Sequence, residues 1–94
     1  MIRAYSIIAN GGNDVKLTLV QKDKVDTQSN KVISPEMSNR LKTLLINVVE
    51  GENGTGKSLR KEGYVIGGKT GTSRTYLEGV GYSEDRFNTS FTGF

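Results

Sequence analysis

The chain has 94 residues, enough for one small domain or a piece of a larger one, and Leu, Ile, Val and Phe supply only 24 of them, so its core is small. It holds no cysteine and no histidine, which excludes disulfides, thiolate nucleophiles, zinc–thiolate centres, histidine-ligated metals and a serine–histidine triad within the chain. A net charge of +3 without a block of like sign makes no case for nucleic acid, and apolar runs no longer than Leu44-Leu45-Ile46 neither span a membrane nor form a signal-peptide core.

In chain order, residues 2–9 read as a helix, because Ala4, Ile7 and Ile8 share one face at i, i+3, i+4. Asn10-Gly11-Gly12 supplies its left-handed stop. With no N-cap before Ile2, the helix reads as the end of a longer one. Val15 to Val20 alternates at period two and is rich in β-branched residues, so it is expected to be a strand. Asp23 to Asn30 is polar and turn-rich, and Lys31-Val-Ile33 is expected to return as the second strand of a hairpin.

Residues 34–50 carry the strongest local signal. Ser34 is an N-cap, Pro35 occupies the first helical position, and Glu36 lies in the first turn, where the helix dipole favours a negative charge. Met37, Leu41, Leu44, Leu45, Val48 and Val49 form one apolar stripe, with Lys42 on the opposite face, and Gly51 ends the helix. Tyr64-Val-Ile66 starts a strand that runs into Gly67-Gly68-Lys69-Thr70-Gly71-Thr72. Residues 74–87 read as a polar loop, and Asn88 to Phe94 alternates again. The expected fold is α+β, with one long amphipathic helix and an antiparallel strand pair, 64–72 with 88–94.

Three motifs compete for the chemistry. Gly51-Glu-Asn-Gly-Thr-Gly56-Lys57-Ser58 fits the phosphate-loop pattern letter for letter. That loop works only between a buried strand and a helix, whereas here a helical repeat precedes it and Gly63 cuts the segment after it. A nucleotide-binding module on residues 51–58 is therefore the alternative reading, with a glycine loop matching by composition preferred. Ser58-Leu-Arg-Lys61 matches Ser-x-x-Lys, which on a helix sets a serine one turn from a base, but it lies in a glycine-rich basic loop. Together Lys57, Arg60, Lys61, Lys69 and Arg74 would equally suit a basic interaction surface. Lys69-Thr70-Gly71-Thr72 is the third motif. Alternation sets Thr70 and Thr72 on one face of a strand, so their hydroxyls can donate together to a carboxylate. Gly71 lets a ligand lie close to the backbone, and Lys69 adds positive charge.

The succession Ala4-Tyr-Ser-Ile-Ile-Ala-Asn-Gly-Gly12, Leu17-Thr-Leu-Val20, Ile33-Ser-Pro-Glu36, Val48-Val-Glu-Gly51 with Gly54-Thr-Gly56, Gly68-Lys-Thr-Gly-Thr72 and Ser90-Phe-Thr-Gly-Phe94 resembles the C-terminal part of the transpeptidase domain of class B penicillin-binding proteins. The resemblance covers nearly the whole chain. It implies a D,D-transpeptidase that cross-links peptidoglycan: a serine attacks the D-Ala–D-Ala bond of a stem peptide, forms an acyl-enzyme and passes the acyl group to a neighbouring amine. β-Lactams acylate the same serine. By carry-over, Lys69 organises charge and protons near the nucleophile, and Thr70, Gly71 and Thr72 bind the substrate. The backbone N–H of Thr72 is one oxyanion donor and the nucleophile's own N–H the other.

The family's Ser-x-x-Lys should lie far upstream on a helix, so the nucleophile role is not transferred to Ser58, and no Ser-x-Asn occurs in the chain. The resemblance thus makes residues 1–94 a partial domain, lacking the nucleophile segment and a final strand and helix, and inactive alone. It implies no cofactor and no metal, stem peptides and β-lactams as ligands, and a bacterial inner-membrane parent with this domain on the periplasmic or extracytoplasmic side.

Overall fold

A computed structural model describes residues 1–21 and 30–94. Helix α1 (Ile2–Ala9) forms as its pattern requires. It stops at Asn10, with Gly11 left-handed at φ 68° and the Gly12 N–H donating to Ile7 O at 2.9 Å, the long bond that closes such a helix end. Two short strands follow, β1 (Asn13–Asp14) and β2 (Asn30–Lys31), paired antiparallel with Asn13 opposite Lys31. The expected strand over Val15–Val20 does not form. Leu19 and Val20 are wholly or largely exposed, and alternation stabilises a strand only when one of its faces packs on something. Val32 and Ile33 instead donate their N–H groups to Gly12 O. The turn expected over 23–30 lies, but for Asn30, outside the described residues.

Helix α2 (Pro35–Glu50) begins where the sequence sets it: Ser34 Oγ accepts the Met37 N–H at 3.2 Å, with Pro35 at the first position. Hydrogen bonds from its own backbone N–H and from Ser34 hold the Glu36 carboxyl below the usual carboxylate range. The buried face differs from the expected stripe. Val49 is fully buried, whereas Leu44 is 62% exposed and Met37 46% exposed. Ser38 is also fully buried, and Lys42 and Ile46 are half-buried. The helix is rolled so that Ser38 Oγ can donate to Ile8 O at 2.6 Å, satisfying a carbonyl at the end of α1. That bond and the closeness of Ile46 to Gly67, where a Cβ would lie 3.2 Å from Ile46 Cγ1, fix the face that points inward.

At the C-terminus of α2, Gly51 is extended rather than left-handed. The helix end is closed by Arg60, whose Nη2 donates to Glu50 O at 2.5 Å and lies 3.4–3.5 Å from Gly51 O and Val49 O. Its Nε pairs with the Glu50 carboxylate at 3.3 Å. A cation here meets the negative end of the helix dipole. A single 3-10 turn (Lys57–Leu59) leads to a long hairpin, β3 (Gly68–Leu77) and β4 (Gly81–Gly93).

The fold is thus α+β, with the long helix packed beside an antiparallel pair, but the hairpin is longer and later than expected. Tyr64 to Gly67 is not strand, and the supposed loop over 74–87 is mostly ladder. Thr75, Leu77, Gly81 and Ser83 are half-buried there and the other residues exposed, but the half-buried positions are mostly polar or glycine, so no alternation between apolar and polar marked it. Backbone pairing and an edge-on Tyr76–Tyr82 contact across the strands (ring centroids 5.4 Å apart) sustain it. The ladder continues one pair beyond β3, through mutual N–H to O bonds between Gly67 and Phe94 at 2.9 and 2.8 Å. No helix among the described residues is long and apolar enough to cross a membrane.

Candidate functional site

Lys69, Thr70, Gly71 and Thr72 lie in the first half of β3, beside the C-terminal end of α2. The register decides what their backbone offers. Gly67 and Phe94 exchange both hydrogen bonds, so every second pair after them, Lys69–Thr92 and Gly71–Ser90, is likewise hydrogen-bonded. The N–H and C=O groups of Thr70 and Thr72 therefore point away from β4, off the free edge of β3. The Thr72 N–H is a donor left unpaired by the sheet.

The side chains complete a donor cluster on that edge. Lys69 Nζ donates to Thr70 O at 3.0 Å and reaches Thr70 Oγ1 at 3.3 Å. Thr70 Oγ1 also lies 3.2 Å from Thr55 Oγ1. Among the described residues the ion pairs are Arg3–Asp14 and Arg60–Glu50, so Lys69 keeps a charge that no carboxylate there neutralises. An open groove of about 450 Å³ runs past Lys69 and Thr55, with Leu44, Val48 and Asn53 on its walls. The exposure of Leu44 follows from this: it faces the groove and not the interior. The Thr72 side chain is exposed, and a Cβ on Gly71 would meet Ser90 Oγ at 2.7 Å, a contact that a turn of the serine would relieve.

Thr55 is the residue that sequence reasoning did not single out. Its trace in the sequence is the Gly54-Thr-Gly56 stretch, which belongs to the family resemblance and to the phosphate-loop pattern but carries no role in either reading. Structure explains those glycines: a Cβ on Gly54 would lie 2.2 Å from Val48 O, and the Gly56 N–H donates to the same carbonyl at 2.9 Å. The loop is thus tied against the last turn of α2 on both sides of Thr55.

The same bonds remove the phosphate-loop alternative. The N–H groups of Gly51, Gly54, Gly56 and Lys57 all donate to carbonyls of Asn47 or of residues 48–54, so they do not converge on an anion. Lys57 Nζ donates to Glu52 O, and a helix, not a buried strand, precedes Gly51. The Ser58–Lys61 pair also fails as an activated nucleophile: Ser58 is in the exposed 3-10 turn, and Lys61 Nζ sits over the Tyr64 ring, 5.4 Å from its centre.

A family model described as the penicillin binding protein transpeptidase domain matches residues 1–94. The chain is 33% identical over 93 residues to the probable peptidoglycan D,D-transpeptidase PbpC of Pseudomonas aeruginosa, covering 99% of this chain and 16% of that protein. It is 33% identical over 105 residues to the stage V sporulation protein D of Bacillus subtilis, again covering 99% of this chain and 16% of the other. The chain therefore spans about a sixth of the length of these two curated relatives. Among solved structures, the apo transpeptidase domain of Burkholderia pseudomallei penicillin-binding protein 3 superposes with a TM-score of 0.81 at 33% identity, over 98% of this chain and 28% of that one.

Proposed function

The chain belongs to the penicillin-binding protein transpeptidase domain family, and from that premise we propose that residues 1–94 form the C-terminal part of such a domain and supply one wall of its active site. The reaction is peptidoglycan cross-linking by serine acyl transfer. A serine from outside these residues attacks the carbonyl carbon of the D-Ala–D-Ala bond. The bond to the terminal D-Ala nitrogen breaks, that amine leaves with a proton, and an amine of a second stem peptide later displaces the serine. β-Lactams enter the same path at the first step, and the domain works on the extracytoplasmic side of a membrane-anchored parent.

The observation that carries this reading is the free edge of β3, where the unpaired Thr72 N–H lies two residues from the Lys69–Thr70 donor cluster. A carbonyl oxygen that becomes an oxyanion needs a donor already aimed at it, and a backbone N–H on a sheet edge is held there at no reorganisation cost. The terminal carboxylate of the stem peptide, or that of a β-lactam, binds to the Thr70 and Thr72 hydroxyls. Gly71 keeps the backbone between them uncovered. Lys69 stabilises the carboxylate and the charge near the nucleophile.

Intact-mass measurement after incubation with a labelled penicillin tests the proposal on two proteins. The 94-residue chain is expected to gain no mass, because it holds no serine set against a base. A complete domain carrying this segment is expected to gain one label per molecule. An unlabelled complete domain overturns the proposal, and a label on Ser58 of the short chain overturns the assignment of the nucleophile to another segment.

A further inference from the structure

Thr55 has been given no role above, yet its hydroxyl lies 3.2 Å from that of Thr70. We infer that Thr55 is a positioning residue, which fixes the direction in which the Thr70 hydroxyl is offered to the carboxylate of a substrate. The inference rests on the transpeptidase reading of residues 69–72 and adds to that site a residue from a second element, the loop after α2.

Counting donors supports it. An ammonium has only hydrogens to give, and a hydroxyl has one hydrogen and two lone pairs. Lys69 Nζ lies within reach of both Thr70 O and Thr70 Oγ1, so the Thr70 hydroxyl oxygen already accepts from a cation. The two threonine hydroxyls need only one hydrogen between them, which leaves the other turned outward. With the remaining ammonium hydrogen, the cluster presents donors and positive charge to the groove. A carboxylate is the ligand that answers both.

Alone, the Thr70 side chain would be free to choose among three rotamers and its hydrogen to rotate. The contact with Thr55 gives the Thr70 oxygen a second fixed neighbour beside Lys69. Thr55 can serve as that neighbour because Gly54 and Gly56 press on and bond to Val48 O, so its place is set by a helix of 16 residues. A binding group held through a rigid element keeps its geometry better than one on a free loop.

The test uses a complete transpeptidase domain carrying residues 1–94 and measures second-order acylation rates with a penicillin and with its methyl ester, which lacks the carboxylate. Thr55→Val keeps the shape and removes the hydroxyl. It is expected to slow the acid about tenfold, the size of one lost hydrogen bond, and the ester by less than about twofold. Thr55→Ser is expected to restore most of the acid rate. In a Thr70→Val background, Thr55→Val is expected to add nothing, because it acts through Thr70. Equal slowing of acid and ester would show ordinary structural damage and overturn the inference, as would an unchanged acid rate or a full additional loss in the Thr70→Val background. A wild-type domain that fails to react overturns the transpeptidase reading itself, and the role of Thr55 with it. A reactive wild type with an indifferent Thr55→Val overturns the role of Thr55 alone.

Discussion

Replacing Val49 by alanine and, separately, Leu44 by alanine decides which face of α2 holds the fold together. Val49 is fully buried, at 0% exposure. Its substitution removes two carbons, worth about 1.6 kcal/mol at roughly 0.8 kcal/mol each. The hole beside Gly56 adds a cavity cost, because the glycine backbone there has no side chain to fill it, so the whole loss is about 2–3 kcal/mol. Leu44→Ala removes three carbons, but Leu44 is 62% exposed, so about two-fifths of the full value applies and no closed cavity results. The expected loss is about 1 kcal/mol. Urea unfolding followed by helical circular dichroism separates them, since a slope of about 1 kcal/mol per molar puts the two midpoints one to two molar apart. A Leu44→Ala variant as damaged as Val49→Ala would refute the face described here and restore the stripe expected from the sequence.

Arg60→Ala is expected to lower stability by about 1 kcal/mol, a modest figure because its side chain is 41% exposed, and Arg60→Lys to recover only part, because an ammonium cannot span the three carbonyls and the Glu50 carboxylate; melting temperatures equal to wild type would contradict the capping role. The hydrogen bonds from Arg3 hold the Asp14 carboxyl below its usual range, so the pair contributes fully above the unfolded carboxyl value near ~3.9 and is lost as pH falls through the lowered folded value. The gap in stability between wild type and Asp14→Asn should therefore shrink between pH 7 and strong acid, and a constant gap would contradict it. Mg²⁺-ATP is expected to leave the amide resonances of Gly54 to Ser58 unmoved, since the loop N–H groups are already bonded; saturable shifts there would revive nucleotide binding. In a complete domain, Thr72→Val is expected to slow acylation by less than the roughly 10²–10³-fold that follows loss of an oxyanion donor, because the backbone N–H survives the change. A larger loss in single-turnover rates would place the hydroxyl, not the N–H, at the centre of the site.

Local chemistry was legible wherever a few adjacent residues decide it. Ser34 and Pro35 start α2, and Asn10 to Gly12 stops α1, because caps and left-handed residues act within one turn. The Lys69–Thr72 motif was legible as well, since alternation along one strand gives the faces of its side chains. The hairpin beyond Arg74 was not, because its half-buried positions, Thr75, Leu77, Gly81 and Ser83, are mostly polar or glycine, so it shows no hydrophobic period and is held by pairing across the hairpin. Val15 to Val20 failed in the opposite sense: it has the period, but its Leu17, Leu19 and Val20 side chains stay exposed.

The sequence by itself determined the two helices, the start of α2 and the stop of α1, the absence of thiol and imidazole chemistry and the residues of the β3 motif, all of which depend on residue type and short-range spacing. Only the tertiary structure decided which way α2 faces, because Ser38 must reach Ile8 O and Ile46 must meet Gly67 across the chain. Only the register of β3 on β4 turned the Thr72 N–H to the free edge. And only the folding of the glycine loop back onto Val48 brought Thr55, fifteen residues away in sequence, to the hydroxyl of Thr70. Contacts of this kind depend on where whole elements come to rest, which no local window of residues contains.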